Sequence, residues 1–200
     1  MLATQGQRFL PQFNSRYMFP FGTEGCVFYA PLWQEDMQTS PLTSYDRNRR
    51  SLTVTDATWG AKIGRTFPGT TSIISIPAGI LSGLLAFWVG VWYRTSSIVG
   101  DQVIFSDSNG ATPCFNAYVS AGGNGRPHLW YSDQVNPTLD IAGGIFNDGV
   151  WHFVEYARRA ANSWELLVDN ASQGTATNNL VAGTTTGASI ALQKSLTITG

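Results

Sequence analysis

Ile73 to Tyr93 contains 21 residues without a single charge, between Arg65 and Arg94. By length alone such a run could cross a bilayer as a helix. Pro77-Ala78-Gly79 interrupts it, however, and Leu84 to Tyr93 consists mainly of β-formers and aromatics. It therefore reads as two buried strands joined by a turn. In Leu85–Tyr93 both alternating sets are apolar: Leu85, Phe87, Val89 and Val91 on one side, Ala86, Trp88, Gly90 and Trp92 on the other. A strand covered on both faces belongs in the middle of a packed sheet. This pattern places Trp88 and Trp92 in the core, together with Trp151 and Trp164.

The rest of the chain follows the same grammar. Short apolar runs alternate with Gly, Asn and Pro turns, and no clear amphipathic helix is present. Strands are expected over Cys26–Leu32, Ser51–Thr55, Thr71–Ile76, Gln102–Ser106, Phe115–Ser120, His128–Ser132, Ile190–Leu192 and Leu196–Thr199. Val150–Ala157 and Ser163–Val168 should form a hairpin, with Arg158 and Arg159 in its loop. Residues 171–189, rich in Ser, Thr, Gly, Ala and Asn, read as a surface loop holding at most one short strand. The fold class is all-β, a two-sheet antiparallel sandwich.

Charged residues make up only 12% of the chain, about half the usual share, and the net charge is −1. The densest basic cluster, Arg47, Arg49 and Arg50, lies in a polar turn and reads as solvated. No electrostatic footprint for nucleic acid is present. Cys26 and Cys114 either pair once or remain free thiols behaving as small hydrophobes. The first residues show no basic region followed by an apolar run, so no secretory leader is readable.

Residues 1–23 read as an extended arm ahead of a domain spanning 24–200. Phe9, Phe13, Tyr17, Phe19 and Phe21 all occupy odd positions, which in an extended chain puts the rings on one edge. Each ring could bury roughly 200 Å², about 5 kcal/mol gross. Ordering some twenty residues costs about 20–40 kcal/mol, so the arm needs a receiving groove, on its own domain or on a neighbouring subunit.

Several motifs in order resemble the laminin-G-like branch of the concanavalin A-like jelly rolls. They are Phe28-Tyr29-Ala30-Pro31-Leu32, Gly64-Arg65-Thr66-Phe67-Pro68-Gly69, Ile74-Ser75-Ile76-Pro77, Phe87-Trp88-Val89, Asp148 to Val154, and Leu166-Leu167-Val168-Asp169-Asn170. Asn170 stands where the family has glycine, and asparagine tolerates the left-handed conformation such a turn needs. The resemblance covers about residues 26–200 and is similar to domains of tailed-phage and environmental viral structural proteins. It implies a jelly roll, and a further closing strand beyond Gly200 in the usual pattern. Relatives often carry calcium, for which Asp101, Asp107 and Asn109 are the nearest candidates; no EF-hand spacing accompanies them.

No enzyme chemistry is readable. The Glu-x-Asp-x-x-Glu strand of the fold's glycan hydrolases is absent, and the adjacent Glu35 and Asp36 would point to opposite faces of a strand. His152 reads as a packed, hydrogen-bonded residue. His128, near Trp130, lacks a serine motif that would make a triad. No catalytic residue, cofactor or metal is expected. The functional expectation is a non-enzymatic structural subunit of a viral particle, a capsid decoration or virion surface protein. Its arm would dock on other virion proteins, with homo-oligomers also compatible, and no membrane or nucleic-acid partner is foreseen. A secreted protein is the alternative location. The alternative function is a carbohydrate-binding module using an exposed aromatic beside acceptors: Trp130 and Tyr131 with Asp133, or Trp33.

Overall fold

The computed structural model describes residues 25–200 apart from 62, 70, 78, 98–99, 109–112, 121–124, 133–138, 179–186, 193–195 and 200. The aromatic arm, Phe9 to Phe21, lies outside the described residues. Two antiparallel sheets pack face to face as a jelly-roll sandwich. Among the described residues one has eight strands, numbered in chain order with the ranges that follow, arranged β1-β2-β5-β14-β7-β8-β9-β10; the other has seven, arranged β13-β12-β11-β6-β15-β4-β3.

In chain order the strands are β1 (Leu42–Thr43), β2 (Ser51–Thr55), β3 (Thr58–Gly60), β4 (Gly64–Phe67), β5 (Ile73–Ile76), β6 (Phe87–Arg94), β7 (Gln102–Ser108) and β8 (Pro113–Ser120). They continue with β9 (Arg126–Tyr131), β10 (Leu139–Ala142), β11 (His152–Ala160), β12 (Ser163–Val168), β13 (Ala171–Thr177), β14 (Gly187–Leu192) and β15 (Leu196–Thr199). The uncharged stretch resolves into β5 and β6, which lie in different sheets. No helix among the described residues is long and apolar enough to cross a membrane.

The core lies between the sheets. Leu52, Ile74, Ala117, Val119 and Leu129 reach in from one, and Phe67, Tyr93, Val154, Leu166 and Val168 from the other. Aromatic edges lock the layers: the Phe115 ring meets Phe87 at 5.4 Å and Tyr156 at 6.1 Å, both nearly perpendicular.

Several features differ from the sequence expectations. Cys26–Leu32 joins no ladder, because isolated backbone bonds, such as Tyr45 N–H to the Tyr29 carbonyl at 2.8 Å, and side chains satisfy its backbone instead. The Tyr29 N–H donates to the Asp46 carboxylate, and the Arg50 guanidinium donates to the Val27 carbonyl while pairing with Asp46 at 3.0 Å. Arg50 is thus structural and not solvated, unlike the exposed Arg47 and Arg49. Arg158 belongs to β11 and is 1% exposed, its guanidinium 4.8 Å from the Trp164 ring and donating to the Ala161 carbonyl. Residues 171–177, read as part of a surface loop with room for one short strand, form the seven-residue β13; Asp169 and Asn170 turn into it with φ of 51° and 65°. Finally, β6 does lie mid-sheet, yet Trp88 and Trp92 are 51% and 42% exposed, since nothing described covers the outer face of the seven-stranded sheet.

Cys26 is a free thiol that donates to the Phe28 carbonyl, so it makes no disulfide. Asp107, one of the calcium candidates, is fully buried, and its carboxylate accepts from the backbone N–H groups of Ile80 and Leu81. Asp101 is exposed, and Asn109 lies outside the described residues.

Candidate functional site

At the edge of the seven-stranded sheet a cleft of about 440 Å³ opens between two short segments. One wall is Trp33, Gln34, Glu35 and Asp36; the other is Trp59 and Ala61. Both walls follow from local sequence. Beyond Pro31 the chain turns on successive short-range bonds, Gln34 N–H to the Pro31 carbonyl, Met37 N–H to Gln34 and Gln38 N–H to Glu35, which wind a 3-10 turn over Glu35–Met37. Leu32 precedes this turn and Met37 ends it, each 1% exposed, so the segment is pinned in the core on both sides while Glu35 and Asp36 stay outside. Trp59 comes from β3, the edge strand.

A single buried side chain holds the two walls at their spacing. Arg65 on β4 is 3% exposed and points inward. Its guanidinium donates to the carbonyl of Ala57, just before β3, and to those of Met37 and Gln38, at the end of the turn. The planar fork bridges both segments at once, which a lysine could not reproduce. This explains why the Gly-Arg-x-Phe sequence sits where it does. Burial pulls the Arg65 guanidinium below its ordinary pKa.

Inside the cleft the chemistry is aromatic and acidic. Trp33 and Trp59 are half-buried. The Trp59 indole N–H has no protein acceptor among the described residues. Glu35 and Asp36, expected on opposite faces of a strand, instead follow one another on a tight turn and both line the cleft. The Tyr45 hydroxyl donates to Asp36 and steadies it. No ion pair reaches either carboxylate among the described residues.

The residues singled out for glycan contact fare differently. Tyr131 is 4% exposed and packs against Trp164 at 4.8 Å, so it belongs to the core and is not a contact surface. The strand alternation decides this: Tyr131 pairs with Phe115 and Leu139, both inward, whereas Trp130 pairs with Asn116 and Asp140 on the outer face. Trp130 is half-buried there, and Asp133 lies outside the described residues. Beside Trp130, His128 stacks on Tyr118 at 4.9 Å and bonds Asp140 through Nδ1. His152 is 7% exposed with a carboxylate on each ring nitrogen, Asp169 at 2.7 Å and Asp148 at 3.1 Å, as a packed, hydrogen-bonded residue should be. Sequence reasoning had Trp33 as an exposure candidate but missed Trp59, Glu35 and Asp36. The only available signal was the Arg65 motif that brings their segments together.

No family model and no curated protein sequence matches this chain. Solved structures do. It is similar to a botulinum neurotoxin type C structure, a toxin whose entry into cells depends upon interaction with two ganglioside molecules. The TM-score is 0.66 with 10% identity, over 87% of this chain and 46% of that one. It is similar also to the serotype D ligand binding domain solved with N-acetylneuraminic acid (TM-score 0.61, 9% identity, 79% of this chain and 44% of that one). The type G receptor binding domain matches at a TM-score of 0.60 and 11% identity, over 82% of this chain and 46% of its own. The chain therefore spans less than half the length of these toxin chains. At such identities the likeness establishes the jelly-roll sandwich fold alone and leaves their binding sites with them.

Proposed function

We propose that this chain is a non-enzymatic carbohydrate-binding domain that takes a neutral or amino-bearing sugar in the Trp33–Trp59 cleft. One observation carries the reading: two half-buried tryptophans, an amide and two carboxylates converge on one cleft of about 440 Å³. That combination suits a sugar ring, whose C–H face stacks on an indole while its hydroxyls donate to carboxylates. The two negative charges of Glu35 and Asp36 disfavour an anionic sugar, so the sialic acid held by the serotype D domain is not the expected ligand here. Glycosidases set two carboxyl groups on opposite sides of the scissile bond, about 5 Å or more apart. Glu35 and Asp36 are neighbours on a single turn, which supports binding without turnover.

Whether the domain rides on a virion surface or is secreted is a separate proposal, resting on composition and on the resemblance to viral domains. Its anchoring arm falls outside the described residues.

A glycan array, followed by saturation-transfer NMR with neutral and amino sugars, tests the cleft. Trp33→Ala and Trp59→Ala should each weaken binding by about tenfold or more, equivalent to about 1.4 kcal/mol. Trp130→Ala should leave it unchanged. Binding of no neutral or amino sugar, or loss of binding only in Trp130→Ala, sets the reading aside.

A further inference from the structure

The outer face of the seven-stranded sheet carries a second feature independent of the cleft. Trp88 and Trp92 project from the same side of β6, 51% and 42% exposed. Phe153 on β11 lies opposite Trp92 and bridges the pair, its ring 5.1 Å from Trp92 and 6.1 Å from Trp88. The three rings form one continuous strip. Large exposed aromatics in a contiguous row are uncommon on a protein surface and mark contact sites.

The strip is built to hold its shape. Gly90 lies between the tryptophans on β6, and a Cβ there would sit 2.4 Å from the Trp88 indole and 2.8 Å from the Phe153 ring. Only glycine lets the Trp88 ring fold down over the strand. The Trp88 indole N–H then donates to Glu155 at 2.8 Å, which fixes the ring's rotation. Glu155 is the register partner of Gly90, so its carboxylate stands in the middle of the strip. Its other oxygen has no partner among the described residues.

Two details select the occupant. Phe153 is tilted by 39° to Trp92 and by 51° to Trp88, so a flat surface cannot touch all three rings together, whereas a narrow chain that twists along its length can. Among the described residues Glu155 presents an acceptor without a cation, while Glu165 is paired with Arg159. Covering an unpaired carboxylate with an apolar protein surface is costly. A ligand bearing hydroxyl donors beside apolar ring faces satisfies both the oxygen and the indoles.

From these observations we propose that Trp88, Phe153, Trp92 and Glu155 form a second carbohydrate site, for a single neutral polysaccharide chain laid along β6. The cleft would take one terminal sugar; the strip takes an internal stretch of a chain.

Affinity electrophoresis of the intact protein in gels containing hydroxyethylcellulose, xyloglucan, galactomannan or the anionic alginate tests this. At least one neutral polysaccharide should retard the protein and alginate should not. Trp88→Ala and Trp92→Ala should each weaken that retardation about tenfold or more, and Gly90→Ala should weaken it while keeping every ligand-contacting group. Trp33→Ala should leave it intact, so that failure of the cleft and failure of the strip are told apart. Unfolding midpoints of the variants identify any that are misfolded, in which case Glu155→Gln serves as the deciding substitution, with a smaller expected loss. Three results would overturn the proposal: no retardation by any neutral polymer, equal retardation by alginate, or a Trp88→Ala variant whose main change is a smaller sedimentation coefficient. The last would mean that a second copy of the chain covers the strip.

Discussion

Strand β6 is apolar on both sides, yet its two faces meet different surroundings. On the inner side Phe87 packs edge-on against Phe115 and Trp164, and Tyr93 is fully buried. On the outer side Trp88 and Trp92 stand about half in water. Covering an indole is worth about 5 kcal/mol gross, so leaving two of them half-exposed forgoes several kcal/mol that the fold could have gained. Inner rings are set by packing against other rings. Outer rings are set by a hydrogen bond to Glu155 and a cradle at Gly90. The contrast separates residues that hold the sandwich together from residues that it presents.

The sharpest way to break this contrast is to truncate one ring on each face. Trp164 is 0% exposed, and its loss also strips the buried Arg158 guanidinium of the nearer of its two ring partners. Trp164→Ala should cost about 3–5 kcal/mol in denaturant unfolding. Trp88→Ala should cost less than about 1 kcal/mol. Equal costs would erase the distinction between the faces.

Arg65→Met comes next. It removes three hydrogen bonds and leaves the carbonyls of Ala57, Met37 and Gln38 without that donor. A loss of about 2–4 kcal/mol is expected. Sugar affinity at the cleft should fall with it, while polysaccharide retardation at the strip persists, because the guanidinium spaces only the cleft walls. Gly90→Ala should destabilise by about 1–2 kcal/mol as the Trp88 ring is pushed off the strand, with a shift in tryptophan emission as the direct readout.

The smallest effect is a pH dependence at His152, where β11 begins. Burial opposes the charged ring, but hydrogen bonds to Asp169 and Asp148 outweigh it, and His152 titrates above its ordinary value. A group whose pKa rises on folding stabilises fully below its unfolded pKa, about 6.5, and that contribution fades as pH climbs through the folded value. Tm should therefore fall modestly as pH rises from about 6 to about 8.5. His152→Gln should flatten the profile, and a wild-type Tm constant over that range would break the assignment.

Much of the fold was legible in advance. Turn residues around Asp169-Asn170, the alternation of Ser163–Val168 and the uncharged run through β5 and β6 are local signals that mean the same thing in any sandwich. The errors were instructive. Cys26–Leu32 has strand composition, but its distant partners are the side chains of Asp46 and Arg50 and a lone backbone bond from Tyr45, and such long-range substitutes leave no local trace. Residues 171–177 lack the apolar alternation of a strand because β13 is an edge, paired on one side only. Tyr131 and Trp130 are adjacent and similar in composition, and only the register of β9 sends one inward and the other out.

By itself, the sequence determined that this chain must be a two-layer β-sandwich with β6 near the middle of a sheet. Hydrophobic spacing and turn chemistry act over a few residues and need no knowledge of the whole. Tertiary structure alone decided which face of β6 is covered, and that Trp33, Glu35, Asp36 and Trp59 share one cleft. Those outcomes depend on which segments a buried guanidinium ties together and on which sheet packs against which face, and such contacts join residues far apart in the chain.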